Sequence, residues 1–122
     1  MTAKKLDLYI LHLLEGACNA MFDCEVIFTR FDEDNMSIVL SQIISKNPGN
    51  GKGTYCINYI NFMLEAYGIK KLQLLAKPIA ENYTDLDVMR LSNWYHKHGL
   101  TAINIQEEND KIMAVEMERR WV

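Results

Sequence analysis

The chain has 122 residues, 49% hydrophobic and 24% charged, which suits one domain over 1–122 and excludes bulk disorder. Thirteen Lys and Arg against sixteen Asp and Glu give a net charge of −3, which excludes a nucleic-acid binder that works by neutralising phosphates. The three cysteines, Cys18, Cys24 and Cys56, include no CxxC pair, which argues against a disulfide framework or a thiolate zinc site and for a reducing, cytoplasmic setting.

Residues 3–21 place Leu6, Ile10, Leu13, Leu14, Ala17 and Met21 on one helical stripe. Asp7 and His12 break that apolar run, so it reads as a helix and not as a signal peptide. No stretch has the length of a membrane span. Residues 24–31 are rich in β-branched and aromatic types and predict a strand. A polar turn at Asp32–Asn35 leads to a second strand from Met36 to Ser45, completing a hairpin.

A glycine-rich segment, Asn47 to Thr54, precedes a helix whose apolar face is Cys56, Ile57, Ile60, Met63, Leu64 and Tyr67, stopped by Gly68. Leu72–Ala76 is a short strand ended by Lys77-Pro78. Thr84-Asp85-Leu86-Asp87 is a capping box with Asp in place of Glu or Gln. It opens a helix with Val88, Leu91, Tyr95 and His98 inward, closed by Gly99. Leu100–Ile105, an acidic turn at Glu107–Asp110 and Ile112–Glu118 form a last hairpin. This α-β-β-loop-α-β-α-β-β order predicts an α+β domain with parallel strands in the middle and antiparallel pairs at both ends.

The glycine segment is the most informative. Gly49, Gly51 and Gly53 alternate between a strand and a helix. Backbone without side chains can approach a ligand closely. The following helix offers unpaired N–H groups and the positive end of its dipole, an anion site that suits phosphate or pyrophosphate. Lys52 can add a charge at its rim. A nucleotide P-loop fails, because Gly53 separates Lys52 from Thr54. The dinucleotide fingerprint fails as well, because Thr54 stands where its third glycine belongs. A glycine-rich turn without a ligand remains the alternative on the loop alone.

Two stretches together resemble the GCN5-related N-acetyltransferase superfamily. Asn50-Gly51-Lys52-Gly53-Thr54-Tyr55 is similar to its coenzyme A pyrophosphate loop, with Asn50 where the family usually has Arg and Tyr55 where it has a small residue. Leu91-Ser92-Asn93-Trp94-Tyr95-His96-Lys97-His98-Gly99-Leu100 is similar to its Leu-x-x-Phe-Tyr-x-x-x-Gly-Phe signature. The likeness covers roughly residues 36–105. It implies an α/β/α sandwich-like domain whose mixed sheet is splayed between the strand ending near Ser45 and the strand Leu72–Ala76. It further implies that the pantetheine arm of acetyl-coenzyme A lies in that gap, beside the backbone of Ile43, Ile44 and Ser45. The amides of Gly49, Asn50, Gly51, Lys52, Gly53 and Thr54 would hold the pyrophosphate.

The activity the resemblance implies is N-acyl transfer from acetyl-coenzyme A to an amine of a small molecule or protein, with no metal, nucleic acid or membrane involved. Tyr95 matches the tyrosine that protonates the leaving thiolate, and a phenol near 10 facing a thiol near 8.5 makes that transfer modestly uphill. A backbone amide at the end of the strand 36–45 would receive the thioester oxygen. Homodimers are common in the superfamily and are a candidate state here. The rival readings are a catalytically degenerate relative that binds coenzyme A or a protein partner, and an unrelated α+β binding protein.

No general base stands out. Asp23, Glu25, Glu33, Asp34 and Glu81 each read as solvated surface carboxylates. His96 and His98 are two apart on a helix and do not share a face, which argues against a two-histidine metal site. Cys56 reads as a small buried hydrophobe, and Trp94 and Trp121 as packing residues.

Overall fold

The computed structural model describes residues 8–46 and 51–121. The elements are α1 (Leu8–Phe22), β1 (Cys24–Asp32), β2 (Ser37–Ser45), α2 (Lys52–Ala66), β3 (Lys71–Ala76), α3 (Asp85–Lys97), β4 (Thr101–Glu108) and β5 (Lys111–Arg120). They form the expected mixed α+β domain, with one five-stranded sheet in the order β1-β2-β3-β5-β4. Among the described residues only the β2–β3 pair is parallel, as the α2 crossover between them requires.

The core lies where the helices meet the sheet. Ile38 and Leu40 of β2, Leu72 and Leu74 of β3 and Met117 of β5 are buried at matched register positions. Cys56, Ile57, Ile60 and Leu64 of α2 are buried with them, and Asn61 joins that face although it is polar. Its amide Nδ2 donates to the His98 carbonyl at 3.1 Å, tying α2 to the end of α3.

The buried face of α1 differs from the expected stripe. Leu11, Leu14 and Cys18 are buried, whereas Leu13 and Met21 are 55% and 51% exposed. The buried stripe is turned by about one residue and brings the small, buried Cys18 thiol beside Cys56 of α2. Leu6, part of the expected stripe, falls outside the described residues.

Both hairpins carry irregularities that the sequence pattern does not reveal. In the β1–β2 ladder Ile27 faces Gln42 and Phe28 faces Leu40, so Ser41 is an extra, bulged residue. Glu15 of α1 reaches the same place, its Oε2 accepting the Phe28 N–H at 2.8 Å. The last turn is shorter than expected. Asn109 and Asp110 have φ of 52° and 62°, a tight pair that lets the β4–β5 ladder run on to Glu108 and Lys111.

Helix α3 starts as expected. The Thr84 hydroxyl accepts the Asp87 N–H, and the Asp87 carboxylate accepts the Thr84 N–H at 2.9 Å. Those bonds hold the Asp87 carboxyl below its ordinary range. Thr84→Ala is expected to cost about 1 kcal/mol in urea unfolding. A carboxyl depressed in the folded state stabilises above its unfolded value near 3.9 and loses that contribution as pH falls through the folded value. The stability difference between Asp87→Ala and wild type should therefore shrink in acid. At the other end Gly99 has φ of 93°, and a Cβ there would lie 2.6 Å from Arg119 Nη1. That guanidinium donates to the His98 carbonyl at 3.1 Å and satisfies the helix terminus.

Candidate active site

The parallel β2–β3 pairing ends at Leu40 and Leu74. Both strands continue past that point, to Ser45 and Ala76. Two features drive them apart. The Ser41 bulge re-aims β2 immediately after its last partnered residue. Pro78, two residues after β3 ends, cannot donate to a continuing ladder. Among the described residues, the edge of β2 from Ser41 to Ser45 that faces away from β1 has no strand partner.

The parted strands enclose a cleft of about 230 Å³, lined by Ile43, Ile44, Leu74, Lys77, Pro78 and Tyr95 among others. Beside α3 it meets a second cleft of about 410 Å³, which shares Ile43, Lys77, Pro78 and Tyr95 and reaches Tyr83 and Leu91. On the far side of the sheet it meets a groove of about 700 Å³, which shares Leu40, Ser41, Leu74 and Leu75. The gap between β2 and β3 is thus reachable from both faces of the sheet.

Helix α2 begins just after this gap in the chain. Its N-cap is Gly51, in the left-handed conformation at φ 80°, and no side chain caps the helix. The first backbone bond is long, from the Tyr55 N–H to the Gly51 carbonyl at 3.4 Å. Lys52, Gly53 and Thr54 therefore form the first turn of the helix, with their amides at its N-terminal end. This corrects the expected boundary, which left these three residues in the loop. The donors face the same way in either description, and the helix dipole adds to them.

Trp94 links this turn to the cleft. Its Cζ2 lies 3.8 Å from where a Gly53 Cβ would stand. Its ring meets the Tyr95 ring edge-on, with centroids 5.0 Å apart. Tyr95 is 6% exposed. Burial, with Cys56 adding to it, pushes the phenol above its ordinary value. Tyr95 is thus a weaker acid than the sequence suggests, and it remains an O–H donor across the working pH range. The Cys56 thiol is pushed up as well, by the neighbouring Cys18 and by burial, so it is no candidate nucleophile.

No known family model matches the sequence, and no curated protein is similar to it. Solved structures do match. Nourseothricin acetyltransferase is similar over 78% of this chain and 55% of its own, with a TM-score of 0.53 and 14% identity. Ard1 from Thermoplasma volcanium is similar over 81% of this chain and 63% of its own, with a TM-score of 0.57 and 9% identity. A Bacillus subtilis acetyltransferase in complex with CoA is similar over 81% of this chain and 68% of its own, with a TM-score of 0.53 and 13% identity. The chain has the GCN5-related N-acetyltransferase fold. It spans little more than half of the first of these proteins and under two thirds of the second.

Within this acetyltransferase fold, the residues singled out in the sequence fall in three places. Ile43, Ile44 and Tyr95 line the gap between β2 and β3, and Ser45 ends β2 beside it. Gly51, Lys52, Gly53 and Thr54 form the cap and first turn of α2. Gly49 and Asn50 lie outside the described residues. The sequence reading missed Ser41, Lys77 and Ile79, which also line the gap. Lys77-Pro78 was legible only as a strand stop, and nothing in the pattern around Ser41 announces a bulge. No helix among the described residues is long and apolar enough to cross a membrane.

Proposed function

We propose that this chain is an acetyl-coenzyme A-dependent N-acyltransferase. The observation that carries the reading is the parting of β2 and β3 after Leu40 and Leu74, with Tyr95 on the resulting cleft. The unpartnered edge of β2 is suited to pairing with the amides of a pantetheine arm, as a further strand would. The uncapped first turn of α2 is suited to a pyrophosphate, with the backbone N–H groups of Lys52, Gly53 and Thr54 as donors. The CoA complex of the Bacillus subtilis neighbour is consistent with this assignment.

The amine nitrogen attacks the thioester carbon, so a C–N bond forms and the C–S bond breaks. A β2 amide next to the cleft stabilises charge on the carbonyl oxygen. The sulfur takes the C–S electron pair, and the Tyr95 hydroxyl donates a hydrogen bond to it as that charge develops. The proton lost by the attacking nitrogen ends on the thiol.

Acetyl-coenzyme A at a hundred times its Kd is expected to stabilise the protein by about 2.7 kcal/mol, a rise in Tm of roughly 5–15 °C. Adenosine alone should give no shift. Absence of a shift at millimolar acetyl-coenzyme A sinks the proposal. Binding without thiol release across a panel of amines leaves the degenerate, coenzyme A-binding reading.

A further inference from the structure

The sheet face opposite the helices carries the 700 Å³ groove into which the β2–β3 gap opens. It crosses all five strands, from Thr29 on β1 to Gln106 on β4, about 19 Å at ~4.8 Å per strand step. From β5 to Thr29 on β1 is three of those steps, about 14 Å, which about four residues of extended polypeptide span. A small amine would leave most of it uncovered.

Glu116 stands on β5, the fourth of the five strands. In the β3–β5 ladder it faces Leu75, one position past Leu74, where β2 and β3 part. Gln106 Nε2 donates to Glu116 Oε1 at 3.3 Å, which steadies the carboxylate against the groove floor. Leu75 and Ile103 line the same groove and are 49% and 50% exposed. The groove therefore carries a carboxylate, Glu116, beside the apolar Leu75 and Ile103, and a guanidinium, Arg30, at its β1 end; the carboxylate end is next to the opening through which a thioester would be reached.

We propose that this groove takes the amino-terminal end of a polypeptide, its α-amine held by Glu116, its first side chain lying on Leu75 and its backbone running on across β3 toward β1. The proposal rests on the donor assignment above. The α-amine is favoured over a lysine amine because its ordinary pKa of about 7.7–8.0 leaves a sizeable neutral fraction near neutral pH, whereas lysine near 10.4 needs a base. Glu116 then has only to orient the nitrogen by accepting an N–H, with no proton abstraction required.

The test uses the full chain and three probes: a leucine-first hexapeptide with a free amine, the same peptide amino-acetylated and carrying one lysine, and spermine. Binding is measured by calorimetry without donor, and turnover by thiol release from acetyl-coenzyme A. The free-amine hexapeptide should bind and be acetylated fastest. Glu116→Gln should raise its KM at least tenfold, with kcat within threefold and the acetyl-coenzyme A Kd unchanged. Leu75→Glu, at an exposed position, should raise the same KM. An unchanged KM in Glu116→Gln overturns the proposal. So does faster acetylation of spermine or of the blocked lysine peptide, or a dimer dissolved by Leu75→Glu with no change in peptide KM. Hexapeptide binding lost in Glu116→Gln, in a protein that does not bind acetyl-coenzyme A, would uphold the groove and sink the donor assignment instead.

Discussion

Tyr95→Phe is expected to lower kcat by about 10²- to 10⁴-fold while the Kd for acetyl-coenzyme A stays within about threefold. The split follows from where the hydroxyl is. The ring belongs to the core between α3 and the sheet, and Phe keeps that packing. Tyr95 lines both clefts on the α3 side of the β2–β3 gap, so its hydroxyl is expected to matter when charge appears on sulfur and little before then. Burial raises the phenol above its ordinary value. For an acid that sign favours the neutral form, so Tyr95 stays a donor at every pH below about 10. The kcat profile of the wild type should accordingly show no alkaline decline belonging to this group between pH 7 and 9. Equal turnover by Tyr95→Phe would remove Tyr95 from the reaction.

How much of this could be read from the sequence depends on how local each signal is. The capping box at Thr84 and Asp87 is complete within four residues, and it forms as written. The order of elements is equally local, because Gly68, Pro78 and Gly99 punctuate periodic runs. The roll of α1 is not local. It brings Cys18 beside Cys56, 38 positions away in the chain (56 − 18), and an apolar count cannot tell a small thiol that lets helices approach from a leucine that holds them apart. The parting of β2 and β3 is less legible still. It coincides with a bulge at Ser41, which shows only in the register against β1 and lies where Glu15 takes the Phe28 N–H. A family resemblance could say that a gap exists near Ser45. Only the ladder shows that it opens already after Leu40.

The two described glycines of the loop separate conformation from contact, and their variants should differ sharply. Gly51→Val forces a β-branched residue to φ 80° at the cap of α2, a strain of at least about 1–2 kcal/mol. Among the described residues no atom lies within 4 Å of the Cβ position, and a side chain there is expected to crowd an anion bound at the first turn of α2. Affinity for acetyl-coenzyme A should fall at least a hundredfold, with Tm lowered by several degrees. Gly51→Asn isolates the second effect, since Asn tolerates the left-handed region; it should leave Tm near wild type and still weaken binding. Gly53 behaves in the opposite way. Its Cβ would point to Trp94 at 3.8 Å, an ordinary contact, and its φ is unremarkable. Gly53→Ala is expected to stabilise the protein by about 0.4–1 kcal/mol and to leave affinity within about threefold, because what Gly53 offers a pyrophosphate is its amide and not its missing side chain. Calorimetric titration of the three variants decides the matter: undiminished affinity in Gly51→Val would place the anion somewhere other than the first turn of α2.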